Sequence, residues 1–112
     1  MRRSRVLGTG LLAFAFLVHA GAAAAQESLK DQQFLGMRLY NQSCRVCHAK
    51  PQPTSPQYAP VLSRISMNGS GEALRTTIAE GSAKMPGFKY HFKPAEIDAI
   101  VAYLKTVPPP AD

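Results

Sequence analysis

Both cysteines of this 112-residue chain lie in one decapeptide, NQSCRVCHAK at residues 41–50, three positions apart and followed at once by His48. Sulfur and imidazole at that spacing could form a disulfide, hold zinc, act as a redox dithiol or carry a covalently attached haem. A bridge between Cys44 and Cys47 would close a tiny loop and restrict the unfolded chain little. Structural zinc wants four ligands and catalytic zinc three protein ligands. Beyond the N-terminal segment the chain offers only Cys44, Cys47, His48 and His91, and the adjacent Cys47 and His48 could hardly both reach one tetrahedral ion. A thioredoxin-like dithiol needs a βαβ setting, which this sequence lacks. The remaining pattern, C-x-x-C-H, is the attachment spacing of a c-type haem. Cysteines three apart near a helix end reach the two vinyl groups on one porphyrin edge, and the next residue points its imidazole at the iron.

One histidine leaves the second axial position to be filled, and the candidates are Met37, Met67, Met85 and His91. Met37 lies on a helix seven residues before Cys44 and reads as a packing residue. Met67 precedes NGSG and reads as a core or loop-edge residue. Met85 sits in KMPGF, where Pro86 and Gly87 shape an irregular loop and Phe88 can line the pocket. It is the expected ligand, with His91 in KYHF as its rival.

The elements that must position these residues follow from pattern. Residues 1–25 begin with Arg2, Arg3 and Arg5, continue through an apolar run from Val6 to Val18, and end in AGAAAA. That is the layout of a cleaved secretory signal, and the apolar run is short of the roughly 20 residues that span a bilayer. Removal leaves residues 26–112, one small domain with a formal charge of +3. With no basic run or stripe, nucleic acid is not an expected partner. A domain this small buries only about 60–65% of its unfolded surface, and the two cysteines cannot staple it, so an apolar cofactor is expected to complete the core. The pattern predicts a first helix from Ser28 to about Asn41 and a middle helix capped by Ser70 and ended by Gly81. A last helix starts at Pro94, with Ile97, Ile100, Val101 and Leu104 on one face. Four prolines between Ala49 and Pro60 impose an irregular loop, and residues 82–92 form a second.

These pieces together resemble the class I cytochromes c over residues 28–107: a first helix with Gly36 and Tyr40, CRVCH, APVL, MPGF, and a closing helix with IVAYL. The resemblance implies an all-α, cytochrome c-like fold of three to four short helices and irregular loops wrapped around one covalent haem c. It implies thioether bonds from Cys44 and Cys47, iron ligation by His48 and Met85, and a hydrogen bond from the His48 ring to the Pro60 carbonyl. It further implies that Gly36 lies where the first and last helices cross, with Tyr40 packed on Ile100 and Tyr103. The sequence departs from the pattern at Ala59, where the family often has glycine, in the short His48–Met85 stretch, and in KYHFKP before the last helix. The implied function is a soluble periplasmic one-electron carrier. The alternatives are a cytochrome subunit of a periplasmic dehydrogenase complex and a ligand-binding or peroxidase-like haem protein with a labile Met85. Partners would be redox proteins, a dehydrogenase as donor and an oxidase or another cytochrome as acceptor. An acidic partner surface would be steered by Arg45, Lys50, Lys84, Lys89 and Lys93.

Overall fold

The computed structural model describes residues 9–49 and 54–111, with side chains from Ala25 onward. Arg2, Arg3, Arg5 and Lys50, named above, lie outside the described residues. The chain divides into Met1–Lys30 and a compact unit from Asp31 to Asp112. Helices are α1 (Thr9–Ser43), α2 (Arg45–His48), α3 (Gly71–Glu80) and α4 (Pro94–Leu104), with a 3₁₀ turn at Ser66–Gly69. Among the described residues there is no strand, only an isolated bridge between Ser82 and Met85. The all-α expectation holds.

One boundary differs from expectation. The first helix does not start at Ser28; α1 runs unbroken from Thr9. The joining stretch AAAAQE contains no Gly or Pro, and alanine is the best helix former, so nothing in the local sequence stops the helix there.

Within the Asp31–Asp112 unit the core is a cluster of Leu74, Ile78, Phe92, Ile97, Ile100, Val101 and Leu104, with Leu39, Tyr40, Met85, Phe88 and Tyr103 packed against it. The 3.6-residue period puts Ile97, Ile100, Val101 and Leu104 of α4 on that face, as the spacing predicts. Gly36 is the crossing point. A Cβ built there would overlap the Ala99 carbonyl and stand 2.9 Å from the Ile100 nitrogen, so only glycine lets α1 and α4 approach this closely. One turn on, the Tyr40 ring meets Tyr103 at 5.5 Å with a 50° tilt. Phe34 of α1 stays outside, at 58% exposure.

The caps are local chemistry. Ser70 Oγ accepts from the Ala73 N–H at 3.1 Å, as expected of an N-cap serine. For α4 the unusual lead KYHFKP is resolved by Glu96, whose carboxylate accepts the Lys93 N–H at 2.7 Å, the back-reaching half of a capping box. Before α3 the backbone takes an unforeseen path: Met67 and Asn68 have φ of 53° and 56°, a left-handed conformation uncommon for non-glycine residues.

Candidate functional site

Haem attachment begins at the end of α1. The Cys44 N–H donates to the Tyr40 carbonyl (2.9 Å), and the Cys47 and His48 N–H groups donate to the Cys44 carbonyl (3.2 and 3.0 Å). These bonds curl CRVCH into the single turn α2, which puts Cys44 and His48 in the interior at 6% and 8% exposure. Both cysteines are free thiols in this structure. Burial first, and then the neighbouring Cys47, push the Cys44 thiol up to about 11, so before attachment it is the neutral thiol. His48 is fixed by one contact: its Nδ1 lies 2.7 Å from the Pro60 carbonyl oxygen, so Nδ1 carries the proton and donates. Nε2 is then the nitrogen with a free lone pair. The Pro60 pairing expected from the resemblance is present in the geometry.

Met85 is placed by a different device. After α3 the chain reverses, with Ser82 N–H to Met85 O at 2.8 Å and Met85 N–H to Ser82 O at 3.3 Å. The segment is then laid back on α3 by Phe88 N–H to Ile78 O (2.9 Å) and Lys89 N–H to Ala79 O (3.1 Å). Gly81 makes the reversal possible, having φ of 77° and no room for a Cβ, which would stand 2.5 Å from the Met85 carbonyl oxygen and the Gly87 nitrogen.

Between these two structures lies a cavity of about 570 Å³, and Cys47, His48 and Met85 all line it. Its floor is the core itself, through Leu74, Ile78 and Leu104, and its wall is the 58–67 loop, through Tyr58, Val61, Leu62, Ile65 and Met67. The C-terminal segment closes another side. Arg64 N–H donates to the Val107 carbonyl at 2.9 Å, and Pro110 reaches the lining.

The other expected residues fall as follows. Phe88 was expected in the pocket, but it is absent from the lining; it stacks on Phe92 at 5.6 Å and 16° and packs on the core cluster. The bonds that lay its backbone on α3 turn the ring inward, away from the opening. His91, the rival ligand, also lies outside the lining; it is exposed, with its ring edge-on to Phe92 at 4.7 Å. Met67 is in the lining and was read as a core or loop-edge residue. The NGSG following it was the available signal for a left-handed turn, but nothing in it said where the thioether would face. Among the cations, Lys84 is exposed at the cavity wall. Lys89 is not free: its ammonium pairs with Glu80 at 2.6 Å and lies 5.4 Å from the Tyr90 ring centre.

This donor set suits a haem. The cavity falls within the range of about 300–1,000 Å³ typical of cofactor sites, and its walls are mostly aliphatic. It brings together thiol, imidazole and thioether, and no cluster of three or more His, Cys, Asp and Glu that could hold a bare ion occurs among the described residues. Comparison with known proteins agrees. A family model described as "Cytochrome C oxidase, cbb3-type, subunit III" matches residues 31–104. Cytochrome c6 of Nostoc sp. (strain PCC 7120 / SAG 25.82 / UTEX 2576) is 28% identical over 103 residues, covering 88% of this chain and 85% of that protein. No solved structure matches. The chain belongs to the cytochrome c family that this model describes, as a class I c-type cytochrome with covalently bound haem c.

Proposed function

We propose that the chain is exported to the periplasm, loses residues 1–25, and works there as a soluble one-electron carrier. Cys44 and Cys47 would hold the haem by thioether bonds, His48 through Nε2 and Met85 through its sulfur would fill the axial positions, and Pro60 would orient the His48 ring. The observation that carries this reading is the convergence of Cys47, His48 and Met85 on one apolar cavity. His/Met-ligated haem supplies a one-electron Fe(III)/Fe(II) couple, with a potential raised by the methionine.

The protein's own contribution is to keep geometry and solvent constant between the two oxidation states. The Pro60 carbonyl holds the imidazole in one tautomer and orientation. The two backbone bonds between Ser82 and Met85 restrain the thioether. Leu62, Leu74, Ile78 and Leu104 exclude water from the interior. Lys84 at the rim, with Arg45 and Lys93 exposed elsewhere, favours an acidic redox partner and speeds encounter more than it tightens binding. Lys89 adds less to such a rim because Glu80 neutralises it. No helix among the described residues is long and apolar enough to cross a membrane.

A second reading, the cytochrome subunit of a periplasmic dehydrogenase complex, is favoured by Phe34, which leaves a large apolar side chain 58% exposed on α1. One experiment addresses both readings. The haem-loaded protein, purified after export, is titrated electrochemically, exposed to carbon monoxide, and sized in fresh periplasmic extract. A free carrier gives a reversible one-electron titration, no carbon monoxide adduct, a chain beginning near Gln26, and a monomer-sized peak. Elution with a larger catalytic complex selects the subunit, and a rapid carbon monoxide adduct refutes both.

A further inference from the structure

The loop that offers the Pro60 carbonyl carries a second polar contact. Gln57 Nε2 donates to the Ala59 carbonyl oxygen at 2.5 Å, one residue before the carbonyl that accepts from His48 Nδ1 at 2.7 Å. The two bonds are joined by the stiffest linkage a chain can make. The Ala59 carbonyl lies in the plane of the Ala59–Pro60 peptide. The proline ring fixes the next dihedral, φ near −65°, and a residue before proline is itself confined to extended conformations. Little freedom remains between the Gln57 amide and the His48 ring beyond ψ of Pro60.

We propose that Gln57 is a positioning residue for the iron ligand: its side-chain amide sets the Ala59–Pro60 peptide plane and so aims the Pro60 carbonyl at His48. The orientation of the amide is fixed by chemistry, since exchanging its oxygen and nitrogen would set two acceptors face to face. Its Oε1 is buried with no donor among the described residues, so the nitrogen is the end that makes a bond here. Within the extended range that proline leaves to Ala59, rotation about ψ of Ala59 still turns the peptide plane, and the Gln57 bond fixes it. Loss of the Gln57 bond loosens the Pro60 carbonyl, weakens its pull on the Nδ1 proton, and leaves the ligand nitrogen less basic. A less basic ligand stabilises Fe(III) less, so the potential rises.

This inference rests on His48 being the axial ligand, and the test separates the two claims. The haem-loaded full chain is compared with Gln57→Met, which keeps the volume without the donor, and Gln57→Lys, which returns an N–H donor to similar reach. The first readout is the histidine ligand signature in the nuclear magnetic resonance spectrum of the wild type. Its absence would overturn the ligation reading, and the inference with it. Given that signature, Gln57→Met should speed solvent exchange of the His48 Nδ1 proton by about tenfold, the worth of one ordinary hydrogen bond. It should also raise the potential and alter the hyperfine pattern that reports ring orientation. Gln57→Lys should restore the exchange rate and the ring pattern. If Gln57→Met fails to load haem, Gln57→Lys decides alone: wild-type exchange supports the inference, and fast exchange overturns it. Unchanged exchange and ring pattern in a folded Gln57→Met protein would also overturn it, leaving Gln57 a loop-packing residue.

Discussion

The helical crossing and the 58–67 loop both carry large apolar side chains, yet these meet water very differently. At the crossing, Ala99 and Ile100 are completely buried and Leu104 is 1% exposed. In the loop, Tyr58 is 74% exposed, Ile65 61%, Val61 50% and Met67 49%, and all four line the cavity. The helices find protein partners, with α3 on α4 and α1 on α4 through Gly36. The loop finds fewer: Ser63 is buried, Leu62 packs on the core and the Arg64 N–H pairs with the Val107 carbonyl, but Tyr58, Val61, Ile65 and Met67 keep much of their surface exposed. The lesson is that the two regions have different dependences. The crossing is stabilised by protein packing, whereas the loop presents an apolar surface that a haem held in the cavity would cover.

The most severe way to break the comparison removes attachment. Cys44→Ala with Cys47→Ala should abolish covalent haem, seen as loss of haem stain on a denaturing gel. Order should go first from the loop, and in so small a domain the whole fold should follow, seen as loss of helical circular dichroism. A native-like apo double mutant would mean that the loop holds itself.

The next largest effect attacks the other region. Gly36→Ala places a methyl group against the Ala99 carbonyl, and Gly36→Leu adds an overpacked side chain costing about 1–3 kcal/mol or more. Both should lower the denaturant midpoint while leaving the haem spectrum of the folded fraction unchanged. An unaltered midpoint would mean that the crossing carries none of the stability.

The smallest effect sharpens what counts as scaffold. Arg75 and Asp98 join α3 to α4 through a surface pair, Nη2 to Oδ2 at 2.9 Å. Hydrogen bonding by Arg75, opposed by partial burial and aided by the arginine's charge, holds the Asp98 carboxyl below its ordinary 3.8. A depressed pKa contributes stability above the unfolded value that is lost as pH falls through the folded one. Asp98→Asn should therefore cost a little stability at neutral pH and less at an acid pH below 3.8, as the pH falls through the depressed folded value. A loss of equal size at both pH values would assign the effect to packing. Exposed pairs are weak, so this variant should rank far below Gly36→Ala.

What could be read in the sequence divides along the same line. CRVCH, the 3.6-residue period of α4 and Ser70 as a cap were legible, because each is decided by neighbours in sequence, whereas Gly36 as a crossing was reached through resemblance. The pairing of His48 with Pro60 was reached in the same way. Less was legible where distant groups decide. Phe88 was assigned to the pocket because it follows Met85, but the backbone bonds to Ile78 and Ala79 turn that segment onto the core. Lys89 looked like a free rim cation until Glu80, nine residues earlier, proved to be its partner. Met67 gave no sign that its turn would bring it to the cavity. The start of α1 was misplaced because a good cap at Ser28 does not end a helix already running through alanines.

The central claim is that Met85, held between α3 and the core, supplies the sulfur opposite His48. The most direct measurement is the weak long-wavelength absorption of the oxidised, haem-loaded protein, recorded for wild type and Met85→Ala. The account predicts that the band is present in the wild type and absent from the variant, whose potential also falls. A band that survives Met85→Ala would contradict the account and assign the sulfur to another methionine, with Met67 the one already in the cavity wall.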